Sequence, residues 1–191
     1  MNITEWAKEI HENAVAHGWW ETKRSTGEVI ALIHSELSEA LEEARDNRPM
    51  MYVLGPNGEE ICTPCYFNGR KPEGIAVELA DAVIRVLDMA EQVGMPLRDY
   101  DAARDELDMI RDEAKKGFED FGTVIAFLHT ITSDLYGAIV KHEAANSISA
   151  ALAIVAYVEG YLTCNGLDLW QVIEIKHNYN KGRPYKHGKA F

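Results

Sequence analysis

The chain has 191 residues, enough for one ordinary domain or two small ones, and with 47% apolar and 26% charged residues it is not a disordered segment. Lys and Arg number 19 against 31 Asp and Glu, a formal net charge of −12. A body this acidic repels phosphate polymers, which excludes a nucleic-acid scaffold but not a small phosphorylated ligand held through a metal cation.

In chain order, residues 4–17 carry an amphipathic helical pattern with Thr4 as the expected N-cap, closed by Gly18 and followed by Trp19 and Trp20. Residues 27–45 form a second helix almost free of breakers. There Val29, Ile33, Glu36 and Ala40 fall at i, i+4, i+7 and i+11, so Glu36 shares a seam with apolar residues. Residues 46–74 are rich in Pro and Gly and read as a small hairpin or an ordered loop. Residues 75–93 form a third helix, apolar on nearly every side except for one row, Glu78, Asp81, Arg85 and Asp88. Such a helix is buried, with its row facing a cavity or a sliver of solvent. Gly94 and Pro96 close it, and a polar fourth helix is expected at 97–116.

The second half repeats the first. Residues 27–34 (GEVIALIH) align without gaps on 122–129 (GTVIAFLH), and Gly94-Met95-Pro96-Leu97 finds a counterpart in Gly166-Leu167-Asp168-Leu169. Both halves run helix, gap, apolar helix, Gly-x-x-Leu, final helix, the sign of an internal duplication. The expected organisation is a first repeat at 1–117 with the 46–74 insertion and a second, degenerate repeat at 118–191. The most apolar stretch, 148–164, has 17 residues including Glu159 and Gly160, so it reads as a buried helix rather than a membrane span. Residues 1–6 have neither the basic region nor the apolar run of a signal peptide, and three cysteines are an odd number for a disulfide framework. A cytoplasmic address is expected. Cys62 and Cys65 form a lone C-x-x-C with no second pair, read as an incidental loop feature.

Two acidic pairs carry the chemistry, Glu36-x-x-Glu39 and Glu78-x-x-Asp81. At i and i+3 on a helix, each pair points two carboxylates one way. A single such pair is usually a solvated helix face. Here one pair lies on an apolar seam and the other on an apolar helix. If the two helices pack antiparallel, four carboxylates meet, and they repel unless a cation sits among them. An oxygen-only set suits Mg²⁺, with Mn²⁺ as the alternative. The C-terminal segment 176–189 adds five Lys or Arg and no acid, against the sign of the whole chain. Lys and Arg suit phosphate oxygens, although a solvated end is the common alternative.

Taken together, Glu36-x-x-Glu39, a spacer, Glu78-x-x-Asp81 and then Lys176-x-x-Tyr179-Asn180-x-x-Arg183-Pro184-Tyr185-Lys186-His187-Gly188-Lys189 resemble the MazG-like nucleotide pyrophosphohydrolases. The resemblance spans residues 5–97 and 166–190. It implies an all-α four-helix module that works as a dimer or tetramer. It implies hydrolysis of a nucleoside triphosphate to the monophosphate and pyrophosphate, with Glu36, Glu39, Glu78 and Asp81 as Mg²⁺ ligands. Lys176, Asn180 and Arg183 match the triphosphate-side residues. In deoxycytidine-triphosphate-cleaving relatives an aromatic near Trp20 stacks on the base, with a histidine corresponding to His11 nearby. A metal-free carboxylate such as Glu39 would orient or deprotonate the attacking water, and which of the four does so stays open. So do a dUTP- or dCTP-specific enzyme, a relative of phosphoribosyl-ATP pyrophosphohydrolase, and an inactive helical nucleotide-binding or interaction protein.

The repeat departs from the family in one respect. Glu36 meets Ile131, Glu39 meets Asp134, and Glu78 and Asp81 meet Ala150 and Ala153, while Lys176, Asn180 and Arg183 meet Arg104, Asp108 and Arg111. Each half keeps what the other lost. The expectation is an intramolecular pseudo-dimer with one metal site, able to pair into a homodimer of pseudo-dimers, with no nucleic-acid or membrane partner.

Overall fold

The structure, a computed structural model, describes residues 2–62, 69–97, 108–109, 112 and 120–185. Helix α1 runs Ile3–Ala16, α2 Thr26–Arg45 and α3 Ile75–Gln92; α4 runs Phe121–Val140, α5 Ala144–Cys164 and α6 Leu169–Lys181. The one sheet among the described residues pairs β1, Val53–Leu54, antiparallel with β2, Glu60–Ile61. The all-α expectation holds, with the hairpin inside the 46–74 segment. The fourth helix expected at 97–116 lies outside the described residues apart from 97, 108, 109 and 112, of which the last three are helical.

Helix α1 starts two residues earlier than its pattern suggests. Asn2, not Thr4, is the N-cap: its side chain accepts from the Glu5 amide while Glu5 reaches back to the Asn2 amide, each at 2.9 Å. A reciprocal capping box satisfies two amides that a lone threonine cap would leave to water. Gly18, at φ +79°, ends the helix where a side chain would be strained and would run into the Tyr185 ring. The reversal sets Trp19 and Trp20 beside α3.

Helix α3 is the hub. Twelve of its residues are buried, and α1, α2, α5 and α6 all pack on it. Its start is fixed by the insertion: the Ala76 amide donates to Met50 O at 2.9 Å, and Tyr52 pairs with Glu73 in an isolated bridge. Gly74, the N-cap, holds φ +113°, and a Cβ there would lie 2.7 Å from the carbonyl oxygens of Pro49 and Met50. Only glycine brings the strap this close.

Helices α2 and α4 pack on each other, and α4 packs on α5. Each of the pair has 20 residues, the N-caps Ser25 and Asp120 are 95 positions apart, and so are the positive-φ residues Asn47 and His142 that follow them. Their buried positions also coincide at that offset: 29, 30, 33, 36, 37 and 40 against 124, 125, 128, 131, 132 and 135. The ends of α3 and α5 match likewise, with Gly94 and Gly166 at φ +67° and +74°. Met95 N donates to Ala90 O at 2.8 Å, and Leu167 N donates to Leu162 O at 2.9 Å.

By length and composition alone, α4 and α5 are each apolar enough to cross a membrane, at a mean hydropathy of 1.4. Ten residues of α5 are buried inside the protein, which accounts for its apolar character without lipid.

Candidate functional site

The acidic cluster forms where α2 crosses α3. One carboxylate oxygen each from Glu36, Glu78 and Asp81 lies within 4.8 Å of the others, with Glu36 and Glu78 buried. The seam position of Glu36 and the single polar row of α3 bring them together. Glu39, one turn further along α2, is exposed and accepts a hydrogen bond from Ser35 Oγ at 3.1 Å. It stands outside the group of three, exposed at the edge of the cluster.

Two cations hold the cluster. Arg85, also on the row, donates to Glu36 Oε1 through Nε at 2.6 Å and places Nη2 at 2.5 Å from the same oxygen. Lys176, on α6 and buried to 2% exposure, sets Nζ 2.8 Å from Asp81 Oδ2. Burial raises the pKa of Glu36, against the pull of Arg85. Burial, Asp81 and Glu36 push Glu78 up to about 8, although Lys176 works the other way. Burial opposes the charge of Lys176, but Asp81 and Glu78 outweigh it and keep the ammonium above its ordinary range. Carboxylates crowded together out of water favour their protonated forms, and a nearby cation restores the charge. An oxygen-only donor set of this kind fits Mg²⁺ or Mn²⁺.

A cleft of about 90 Å³ opens beside the cluster, lined among others by Asp81, Arg85, Asp88, Arg24, Trp19 and Asn180. Asn180 Oδ1 is buried there and accepts no hydrogen bond from the described residues. At the far end Asp88 gathers the two aromatic residues that the resemblance singles out. His11 Nδ1 donates to Asp88 Oδ1 at 2.7 Å, and Trp20 Nε1 donates to Oδ1 and Oδ2 at 2.9 and 3.1 Å. Burial raises the Asp88 pKa, and these donors work against the rise. The other side of Trp20 faces a second cleft of about 430 Å³, walled by Met89, Gln92, Val29 and Ile139 and rimmed by Lys23 and Arg24.

No family model, curated protein or solved structure matches the chain. The site is therefore read from its own geometry. Seven of the nine candidate residues, Glu36, Glu78, Asp81, Lys176, Asn180, Trp20 and His11, meet along one line of cluster and clefts. Glu39 flanks that line. Arg183 is not brought to it: its guanidinium lies 5.9 Å from the Tyr179 ring centre, its carbonyl accepts from His17 Nε2 at 3.1 Å, and it lines another cleft with Gly69. Gly182 ends α6 one residue earlier, so Arg183 loses the helical phase it would share with Lys176 and Asn180. Lys186, His187 and Lys189, like Cys65, lie outside the described residues.

Arg85, Asp88 and Arg24 join the site although sequence reasoning did not select them. The row on α3 holds the first two in plain view. Nothing local marks Arg24.

In the second half three of the four positions matching the acids are filled by packing. Ile131 is buried at 9% exposure, Ala150 and Ala153 pack against the core, and Asp134 is exposed.

Proposed function

We propose that the chain is a Mg²⁺-dependent nucleotide pyrophosphohydrolase of the MazG-like kind, releasing pyrophosphate from a nucleoside triphosphate. The observation that carries this reading is the convergence of Glu36, Glu78 and Asp81 within 4.8 Å, with Lys176 of α6 on Asp81 at 2.8 Å. Glu36, Glu78 and Asp81 would hold the cation, which offsets triphosphate charge and activates water for attack on phosphorus. Exposed Glu39 would face the water side, where a carboxylate free of the fixed cations accepts a proton. Arg24 and Arg85 line the cleft a polyphosphate would enter, and Trp20 offers the wall of the larger cleft to a base.

The reading includes a fused pseudo-dimer with one working site per chain. The coincident caps and buried positions of α2 and α4 support it, and so does the His34–His129 pair. These residues are 95 positions apart, and their Nδ1 atoms meet at 2.7 Å. An element that touches its own counterpart lies on the axis relating two copies.

A second reading draws on the same contacts: with Arg85 on Glu36 and Lys176 on Asp81, the acids form an ion-pair cluster that needs no metal. A pyrophosphate-release screen across ribo- and deoxyribonucleoside triphosphates, with and without EDTA, separates the two. EDTA-sensitive release from at least one triphosphate supports the enzyme. No release from any of them supports the structural cluster.

A further inference from the structure

We infer that Arg85 is an exchangeable counter-ion, which gives up Glu36 to the cation and turns into the cleft to take a phosphate of the ligand. The inference rests on the proposed metal site and concerns what Arg85 does there.

Arg85 and a divalent cation compete for one carboxylate, that of Glu36. Both guanidinium contacts go to Glu36 Oε1, and that residue is buried at 5% exposure. A carboxylate already neutralised by a guanidinium attracts a metal ion less, so coordination through Glu36 weakens the Arg85 pair and favours its withdrawal. Lys176 is placed differently. It pairs with Asp81 from a third helix, its side chain only 3% exposed. The Arg85 side chain is 32% exposed and already forms part of the cleft wall.

The direction of the exchange follows from what surrounds the guanidinium. Its row neighbours in the cleft are Asp81, beside Lys176, and Asp88, which accepts from His11 and Trp20. Both carboxylates already have donors, so a released Arg85 would have to share either of them with Lys176 or with His11 and Trp20. Arg24 lines the same cleft, where burial and then the charge of Arg85 lower its pKa. A pair of arginines around a small cleft is a bidentate phosphate receptor. Cation and phosphate then bind cooperatively, because the first frees the residue that grips the second.

The test follows the Arg85 Nε–H signal by NMR in the whole chain, with Mg²⁺ alone and then with inorganic triphosphate added. We expect Mg²⁺ to shift the signal away from its hydrogen-bonded position and triphosphate to shift it again. In parallel, Arg85→Met should bind Mn²⁺ alone about tenfold more tightly by EPR while its affinity for Mn²⁺–triphosphate falls by at least as much. Mg²⁺ binding with an unmoved Arg85 signal would overturn the exchange and leave the metal site standing. Failure of both proteins to bind either cation would overturn the metal site as well, and with it the exchange. The wild-type measurement needs no substitution, so a variant that does not fold leaves the test intact.

Discussion

Asp88 decides where two rings stand, because its carboxylate accepts from His11 and Trp20 together. Asp88→Asn removes the charge from both hydrogen bonds, a loss of about 1.5–3 kcal/mol in the fixing of the rings. The expected outcome is a shifted Trp20 emission and a raised KM for nucleotide with kcat nearly kept. A fall in kcat at unchanged KM would show that Asp88 acts at the metal instead. Lys176→Met removes the buried partner of Asp81. Breaking a buried pair costs about 3–5 kcal/mol, so the melting temperature should drop markedly, and a variant as stable as wild type would show that the pair is not load-sharing. At this scale the sequence is a partial guide. The polar row shows that Glu78, Asp81, Arg85 and Asp88 share a face, but periodicity does not show what stands opposite. The partners Glu36, Lys176, His11 and Trp20 come from three other segments, separated from the row by tens of residues.

Between elements, the seam of α2 and α4 turns on the stacked pair His34 and His129, with ring centres 4.9 Å apart. With Nδ1 facing Nδ1, one ring donates and the other accepts, so the accepting ring is neutral and at most one of the two is charged. Burial lowers the pKa of each, and for His129 the charge of His34 adds to the effect. The unfolded chain then takes up protons before the folded one does. Stability from the pair is complete above the ordinary histidine value of 6.5 and is lost as pH falls through the lowered folded values. Urea melts at about pH 7.5 and about pH 5.5 should show a loss of stability that shrinks in the His34→Gln/His129→Gln variant. An equal loss in both proteins would place the sensitivity elsewhere, for instance at His177, whose pKa burial also lowers. Helix boundaries were legible to within two residues wherever a cap or a glycine marks them, as at Ser25, Gly74 and Gly94. The start of α1 was misread because Thr4 is a good cap in isolation, whereas Asn2 and Glu5 cap each other across three residues. Arg183 was misplaced for a related reason: a motif spacing assumes one helix throughout, and α6 ends at Lys181.

For the whole molecule, the proposed duplication rests on eight aligned residues, and the matched caps, burial and end geometries of α2 and α4 support it over full helices. What the sequence does not carry is the docking of α6 on α3, which brings Lys176 from the second half onto Asp81 of the first. One half then supplies the acids and the other a cation, as the proposed single site per chain requires. Asp134→Asn should leave turnover near wild type, since Asp134 is exposed and the other positions that match the acids, Ile131, Ala150 and Ala153, are packing residues. The most direct measurement is pyrophosphate release from a nucleoside triphosphate in Mg²⁺ by wild type, Glu36→Gln and Asp81→Asn, each shown to be folded. Release by wild type that EDTA abolishes and that falls on the order of 100-fold or more in both variants is the predicted result. Release that survives EDTA, or that is undiminished in both variants, would contradict a metal-dependent site at Glu36, Glu78 and Asp81.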